Sequence, residues 1–356
     1  MRALSEGVPL YPVYALLFAD AGLTTAQVSS LFVIWSVVAF AAEIPSGALA
    51  DTWSRKRLYA VGETLTAAGY ATWLLWPSYP GFALGFVLWG LGGSLGSGAL
   101  EALVYDAVPE ENRYARLIGR AETVSIVAML AATLLATPAL HFGGYVLVGG
   151  VSVAVKLLGG LLALRLPEEP SAASDTSEMS YWRTLRSGVR EAAGTRVVAR
   201  AVLVAALVPG FSALDEYLPL LARDKGATTA AVPLLFGLTA LAMAAASALA
   251  GRGRGFSWAL GGAAALLAAG ALTPYLGGMI AVSAAFGLLQ YAMIRAEARL
   301  QERITGPART TVLSVAGFAS EVFAVVLYLG FAVDLPLTAL FALAGIPLLI
   351  TALLAA

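Results

Sequence analysis

The stretch LLFADAGLTTAQVSSLF, residues 16–32, returns at residues 220–236 as LLARDKGATTAAVPLLF. The two stretches align without a gap at an offset of 204 residues, and ten of the seventeen positions are identical. Small and apolar residues raise the number of chance matches, but an aspartate, a glycine, a Thr-Thr pair and a phenylalanine in register are a stronger signal. The repeat predicts that the chain consists of two related halves.

Apolar runs of about 17–25 residues, each long enough to cross about 30 Å of hydrocarbon, fill both halves. Hydrophobic residues make up 59% of the 356 residues and charged residues only 12%, which is typical of membrane proteins. We predict an all-α membrane protein with twelve transmembrane helices in two six-helix pseudo-repeats. The predicted spans lie near 4–20, 25–50, 57–76, 81–105, 114–137, 142–165, 197–222, 228–250, 256–275, 277–295, 310–332 and 335–355.

One long polar segment separates the halves. It defines an N-terminal six-helix bundle (1–166), a cytoplasmic linker (167–196) and a C-terminal six-helix bundle (197–356). The second part of the linker places Trp182, Leu185 and Val189 on one helical face, which fits either a short amphipathic helix on the membrane or an ordinary linker.

Basic residues indicate the topology. If the N-terminus is inside, 19 of the 22 Lys and Arg residues fall at or near the cytoplasmic face. We therefore expect a multi-pass protein of the cytoplasmic (bacterial inner) membrane with both termini in the cytoplasm. The first apolar run starts near Leu10 without a cleavage site after it, so we expect it to remain as a span.

Several functional classes have little support in the composition. The chain has no cysteine and only one histidine, His141, so neither a metal site, a cofactor nor an enzymatic activity is predicted. The formal net charge is zero, which gives no reason to expect a nucleic-acid partner. The three lysines follow no Walker pattern, so transport would depend on an ion gradient or on the solute itself.

The turn between spans 2 and 3 reads Gly47-Ala-Leu-Ala-Asp51-Thr-Trp-Ser-Arg55-Lys56-Arg57. It resembles the loop Gly-x-Leu-Ala-Asp-Arg-x-Gly-Arg-Lys of the major facilitator superfamily, although Thr52 and Ser54 depart from that pattern. Two further stretches, 43–47 and 97–106, resemble a bacterial efflux-permease-like branch. The resemblance implies a two-bundle transporter that works by alternating access. We predict a gating motif at Gly47, Asp51, Arg55 and Lys56, in which Gly47 allows close helix approach.

Carboxylates inside membrane spans are costly and normally face a cavity or a partner. Candidates for proton coupling or substrate contact are Glu43, Glu101, Asp215, Glu216 and Glu321. A second group, near the inner ends of the first-half spans, predicts an inner-gate salt-bridge network: Glu63, Asp106, Arg113, Arg116, Arg120 and Glu122. Lys156 lies within span 6, and its expected role is structural, either paired with a carboxylate or extended toward an interface.

Aromatic residues at helical spacing are candidates for lining a solute cavity, although each could also face lipid or pack inside the bundle. They are Tyr11, Tyr14, Phe211, Tyr217, Tyr291 and Phe318. Together with the acids they favour an amphipathic organic solute, including a cationic one.

We predict a monomeric secondary transporter in the lipid bilayer that moves a small organic solute and protons by alternating access, with efflux as the leading direction. Proton-coupled nutrient uptake by symport is the first alternative. A non-transporting membrane sensor with the same fold is the second.

Overall fold

The computed structural model describes residues 1–97, 99–100, 103–104, 111–166, 168, 196–251, 255–303 and 309–355. Every regular element within these residues is a helix, so the all-α prediction is confirmed for them. Contacts divide the chain into two compact units, Met1–Ser174 with Thr228–Leu234, and Asp175–Ala227 with Leu235–Ala356. The predicted domain boundaries, with a linker at 167–196, stay a prediction.

The helices of the first half are α1 (Arg2–Glu6), α2 (Tyr14–Asp20), α3 (Thr25–Thr52), α4 (Arg55–Leu75), α5 (Tyr79–Gly96) and α6 (Glu111–Ala163). The second half contains α7 (Arg196–Gly210), a 3₁₀ helix (Phe211–Tyr217), α8 (Leu218–Asp224), α9 (Val232–Leu249), α10 (Phe256–Leu272), α11 (Gly278–Arg303), α12 (Arg309–Phe331) and α13 (Leu337–Ala355).

Seven helical stretches of the described chain are long and apolar enough to cross a bilayer. One of them, Arg116–Ala163, has 48 residues, which would be about 72 Å as a straight helix and therefore more than twice what one crossing needs. It contains the predicted spans 114–137 and 142–165, which meet near Gly144. Gly144 has φ 57°, a left-handed conformation that glycine adopts without steric cost, and it interrupts the helix between the two spans.

The sequence repeat has a counterpart in the backbone. Gly22 and Gly226 lie 204 residues apart and have φ of 91° and 93°. Each glycine follows a short helix, α2 or α8, and the same three backbone hydrogen bonds close the two turns. In the first half the N–H groups of Ala21, Gly22 and Leu23 donate to the carbonyl oxygens of Leu17, Ala19 and Phe18, respectively. In the second half those of Lys225, Gly226 and Ala227 donate to Leu221, Arg223 and Ala222. The repeat therefore preserves turn geometry as well as sequence.

Span 1 and span 7 are both interrupted at equivalent places. Between α1 and α2 the chain forms turns, and 204 residues later the 3₁₀ helix Phe211–Tyr217 separates α7 from α8. These interruptions set several side chains on irregular backbone inside the bundle, which in membrane proteins is tolerated only where protein or a cavity surrounds it.

Glycines allow close helix contacts in both halves. A Cβ built on Gly62 of α4 would lie 2.5 Å from the carbonyl oxygen of Gly92 of α5. In the second half a Cβ on Gly278 would lie 2.4 Å from the carbonyl oxygen of Gly270. By contrast, a Cβ on Gly47 would meet no heavy atom of the described chain within 4 Å, so the close helix approach expected at Gly47 stays a prediction.

Candidate functional site

The first unit contains a cavity of about 500 Å³ inside its helix bundle. Side chains from α1, α4, α5 and α6 line it, together with Tyr11 from the interruption of span 1. A volume in this range fits a small organic molecule. The cavity is therefore the candidate solute site of this unit.

A buried ion pair forms the polar side of the cavity. The ammonium of Lys156 lies 3.4 Å from Oε2 of Glu63, and the two side chains are 4% and 8% exposed. Lys156 also donates to Glu63 Oε1 at 3.4 Å and to the carbonyl oxygen and hydroxyl of Ser5 at 2.9 and 3.3 Å. Ser5 in turn donates to Glu63 at 3.3 Å. One cation, one anion and a serine thus connect α6, α4 and α1.

The helix backbone of α6 makes room for the carboxylate of Glu63. A Cβ built on Gly159 would lie 3.2 Å from Glu63 Oε2, and one on Gly160 would lie 3.4 Å from Glu63 Cβ. These glycines follow Lys156 by three and four residues, so they share its face of the helix. Local sequence on one helix therefore supplies both the cation and the space for its partner.

Aromatic rings form another part of the cavity lining. Tyr11 and Trp89 both line it, are stacked with centroids 5.7 Å apart and planes 18° apart, and are half-buried. Trp35 lies against Trp89 at 5.3 Å. Behind these rings is a fully buried aromatic cluster, which includes Phe18, Phe32, Trp73, Phe82 and Phe86.

Charged residues at the more exposed edge of the cavity form another pair. Arg2 of α1 forms a salt bridge with Glu122 of α6, and Glu122 is half exposed. Glu122 was grouped with Arg113, Arg116 and Arg120 as an inner-gate network. Those three arginines are exposed on α6. Glu122 forms its salt bridge with Arg2. Glu63 of the same group pairs with Lys156 instead.

The turn between α3 and α4 carries the motif residues and binds the start of the linker. Ser54 and the backbone N–H of Arg55 donate to the carboxylate of Glu168, each at 2.5 Å, and the N–H of Lys56 donates at 3.4 Å. The ammonium of Lys56 also donates to the carbonyl oxygen of Leu166 at 3.3 Å. Glu168 therefore caps the positive end of α4.

The environment of Glu168 changes its titration. Partial desolvation raises the pKa of this carboxyl group, but the hydrogen bonds from Ser54, Arg55 and Lys56 outweigh it and lower the pKa below its usual range. Of the motif residues, Gly47 lies exposed in the last turns of α3 and Asp51 follows it one turn later. The gating role of Gly47, Asp51, Arg55 and Lys56 stays a prediction.

In the second half, Asp215 and Glu216 lie on the 3₁₀ helix and are half-buried. The neighbouring Tyr217 is buried, and its ring packs against those of Phe331 and Tyr328, with centroids 4.4 and 6.2 Å apart. The acid pair thus lies on irregular backbone next to an aromatic wall from α12.

The other candidate acids lie at different places. Glu43 is exposed on α3 and accepts a hydrogen bond from Ser97 at 3.4 Å. Glu321 is exposed on α12. Glu101 and Asp106 lie outside the described residues. The structure therefore brings Glu63, and not Glu43 or Glu321, together with a cation inside a cavity.

The aromatic candidates have different environments. Tyr11 lines the cavity, whereas Tyr14 is buried in the aromatic cluster. Phe211 is buried against Phe323, with ring centroids 4.9 Å apart. Tyr291 is half-buried on α11, and Phe318 is 42% exposed on α12.

Sequence reasoning did not place Lys156, Trp89 and Ser5 in the site. A lysine in the middle of an apolar span is itself a signal, because such a charge needs a partner. Its partner Glu63 is 93 residues away in sequence, and no local pattern connects the two. The sequence predicted that Lys156 could pair with a carboxylate, which is the kind of partner that it has. It did not predict that the pair lines a cavity.

The sequence matches the Major Facilitator Superfamily over residues 2–333. The chain belongs to this superfamily. A search of curated proteins finds no match to the sequence.

Solved structures of similar fold include three transporters, each matched over 99% of this chain. The nucleoside transporter NupG aligns with a TM-score of 0.78 and 12% identity over 94% of its own chain. An auto-inhibited POT family peptide transporter aligns with a TM-score of 0.73 and 13% identity over 93% of its own chain. A D-xylose–proton symporter aligns with a TM-score of 0.70 and 17% identity over 94% of its own chain.

Family membership and these structures confirm the predicted fold class: two six-helix repeats with twelve transmembrane helices. The protein is a multi-pass membrane transporter and not an enzyme. The efflux-like branch, the direction of transport and the proton coupling are separate questions.

Proposed function

We propose that this chain is a proton-coupled secondary transporter of a small organic solute, and that the cavity of the first unit binds the solute. The single observation that carries the proposal is the Lys156–Glu63 pair, which lies buried on the wall of a cavity large enough for such a solute. Under this proposal the protein acts as a monomer in the cytoplasmic membrane, with both termini inside, and needs no cofactor.

The cavity has the two kinds of surface that an organic solute requires. Tyr11 and Trp89 offer flat apolar area, while Lys156, Glu63 and Ser5 offer charge and hydrogen bonds. Pockets for small molecules commonly combine apolar walls with a few polar groups that fix orientation. This combination supports a binding role over a purely structural one, because a buried ion pair on its own adds little stability.

Proton coupling requires a carboxylate whose charge depends on what is bound next to it. Among the described residues, Glu63 forms an ion pair with Lys156. A solute group that binds Lys156 therefore changes how strongly the charged form of Glu63 is stabilised. Asp215 and Glu216 provide a second acidic group in the other half, and Glu43, Glu101 and Glu321 are further candidates. The motif at Gly47, Asp51, Arg55 and Lys56 is proposed to act as the gate.

Two directions are compatible with this coupling. The ion pair favours uptake by symport, because a proton and a solute can share the pair, and one solved structure of the same fold is titled a D-xylose–proton symporter. Efflux by antiport is what the resemblance of residues 43–47 and 97–106 to efflux permeases predicts.

The test is a proteoliposome assay with the purified chain and a pH-sensitive dye inside. Nucleosides, sugars, dipeptides and small organic acids are added one at a time, and solute-dependent proton movement is measured. We expect at least one class to move protons, and we expect Glu63→Gln to abolish the movement. Glu302→Gln, at an exposed position near the end of α11, serves as the control. The proposal fails if no class moves protons above the level of empty liposomes.

Direction is read from the same vesicles with labelled solute. An imposed gradient that is acidic outside should drive accumulation in a symporter, whereas in an antiporter a gradient that is acidic inside should do so. Solute entry that stops at equal concentrations under either gradient would exclude proton coupling and indicate facilitated transport.

A further inference from the structure

The three donors of the Lys156 ammonium are engaged with three groups of the cavity wall. They contact the carbonyl oxygen of Ser5 at 2.9 Å, the hydroxyl of Ser5 at 3.3 Å and the carboxylate of Glu63 at 3.4 Å. The contact with Glu63 is longer than the 2.7–2.9 Å typical of charge-assisted hydrogen bonds. An incoming acceptor can therefore reach the ammonium on the side of Glu63, at low cost only if Glu63 loses its charge.

The charge balance decides which acceptor can enter. Lys156 and Glu63 together are neutral, and both are buried. An anionic solute group on Lys156 would leave two negative charges around one positive charge in a desolvated place, which is costly. Protonation of Glu63 removes that excess. A cationic group would instead lie beside Lys156 and be repelled by it.

A second donor on the cavity wall lacks a partner. The side chain of Tyr59, one turn before Glu63 on α4, lines the cavity and is 4% exposed. Its hydroxyl lies near Ser5 and Glu63 but forms no hydrogen bond of good geometry with any described residue. A phenol is a donor that a bound carboxylate oxygen can use.

The rest of the cavity favours a flat apolar body on the same solute. Tyr11 and Trp89 are stacked on one another, half-buried and part of the cavity lining, so the parts of their rings that face the cavity can contact another ring. An anion with an aromatic ring would place its charge at Lys156 and its ring at Tyr11 and Trp89.

We propose that the cavity binds a small aromatic monocarboxylate together with one proton, the carboxylate on Lys156 and Tyr59 and the proton on Glu63. This proposal rests on the proposed function and specifies its substrate class. It replaces the sequence-based preference for a cationic solute.

Other charged groups line the same cavity, and the charge of Glu6 also acts on Lys156. Glu6 of α1 lines the cavity but is exposed to solvent, and Arg2 and Glu122 neutralise one another at the edge. Tyr11 stacks on Trp89 beside the pair. Glu63 is the acid among them that is buried and in contact with Lys156, so it is the group expected to accept the proton.

The experiment uses three probes on one ring system: indole-3-acetate, its neutral amide and the cation tryptamine. Binding to the purified full chain is measured by calorimetry in two buffers of different ionisation enthalpy, which gives the protons taken up per ligand. We expect the acid to bind at least about tenfold more tightly than the amide or the amine. Uptake of about one proton per anion is expected near neutral pH, and Kd should then rise about tenfold per pH unit.

Variants separate the roles of the three residues. Glu63→Gln should retain binding of the acid and lose the proton uptake, because the glutamine stays neutral. Lys156→Gln should lose at least about tenfold in affinity for the acid and none for the amide. Tyr59→Phe should lose a few-fold. Lys156→Gln combined with Glu63→Gln removes both charges without leaving one unpaired, so it tests affinity even if Lys156→Gln alone does not fold.

The proposal is overturned if tryptamine binds more tightly than the acid, if the acid does not bind, or if it binds without proton uptake. It is also overturned if the double variant binds the acid as the wild type does. Each of these results can coexist with solute-driven proton movement in proteoliposomes, which would retain the proposed function and reject only the substrate class.

Discussion

The two halves use the same backbone interruption for different chemistry. In the first half the interruption between α1 and α2 carries Tyr11 and Pro12; 204 residues later the 3₁₀ helix carries Asp215 and Glu216. The first half obtains its charges from other helices, as the Lys156–Glu63 pair. The second places two adjacent acids on the interruption itself. The two repeats therefore share backbone geometry, as the matching φ angles of Gly22 and Gly226 show. They do not share the side chains at the interruption.

This difference has an electrostatic consequence. A buried carboxylate beside a buried ammonium is neutral as a pair, and removal of either partner leaves an uncompensated charge. Two neighbouring carboxylates repel one another when both are charged. We therefore expect substitutions of the first-half pair to affect folding as well as function, and substitutions of the second-half acids to affect mainly function.

The largest effect is expected for Lys156→Met. The substitution leaves Glu63 buried without its cation, so we expect a loss of about 3–5 kcal/mol of stability when Glu63 stays charged. The measurement is thermal unfolding of the purified protein, with Lys156→Met/Glu63→Met as the matched variant. The double variant should recover most of the loss. Equal destabilisation of the single and double variants would mean that packing, and not charge, determines the effect.

The next effect compares helix contacts in the two halves. Gly62→Ala places a Cβ 2.5 Å from the carbonyl oxygen of Gly92, and Gly270→Ala places one 2.7 Å from that of Gly278. Both should destabilise the protein by about 1–3 kcal/mol, because backbone must move. Gly93→Ala and Gly261→Ala are the controls, since a Cβ at either position meets no described atom within 4 Å.

The controls should be neutral or slightly stabilising, because alanine is the better helix former. Thermal unfolding of the four variants gives the comparison. A control that is as destabilised as its partner variant would contradict the assigned helix contacts in that half.

A third test concerns the acids of the second half. Asp215→Asn and Glu216→Gln should each lower proton-coupled transport by about tenfold, equivalent to about 1.4 kcal/mol, while thermal stability stays near that of the wild type. Transport is measured in proteoliposomes and stability by thermal unfolding, with Glu302→Gln as the control. A large loss of stability without a selective loss of coupling would assign these acids a structural role.

Much of the fold was predictable because it follows from properties that the sequence displays locally. Apolar run length predicted the spans, and the internal repeat predicted the two halves. A connection with almost no loop was predicted at Gly277 and Gly278; in the structure five residues, 273–277, connect α10 to α11, and Gly278 is the first residue of α11. The interruption of span 1 was not predicted, because run length alone was used to mark the spans; Gly7, Pro9 and Pro12 between α1 and α2 are the helix-breaking signals that could have indicated it.

The site was harder to predict because its members are close only in space. Glu63 was assigned to a network with arginines near it in sequence, whereas its cation lies on α6. A sequence shows that Lys156 needs a partner but not which of several acids is in contact with it. Likewise, Gly159 and Gly160 are ordinary helix-packing glycines in sequence, and only the position of Glu63 against them gives them a role.

The smallest effect is expected at the start of the third span of each half, which is α4 in the first half and α10 in the second. Glu168 and Ser54 cap α4, whereas α10 begins after Gly255 without a side-chain cap. Glu168→Gln should therefore cost about 0.5–1 kcal/mol near neutral pH, a value kept low because Glu168 is only partly buried. Ser257→Ala, at the start of α10, should cost nothing measurable.

The pH dependence has a definite sign. Because the pKa of Glu168 is lowered in the folded protein, its contribution is complete above the usual glutamate range, about 4.3, and is lost as pH falls through the lowered value. The stability difference between wild type and Glu168→Gln should shrink over that acidic window. Thermal unfolding across the window measures it, with Ser54→Ala as a partner in a double-mutant cycle. Additive losses from Ser54→Ala and Glu168→Gln would show that the two residues do not cap α4 together.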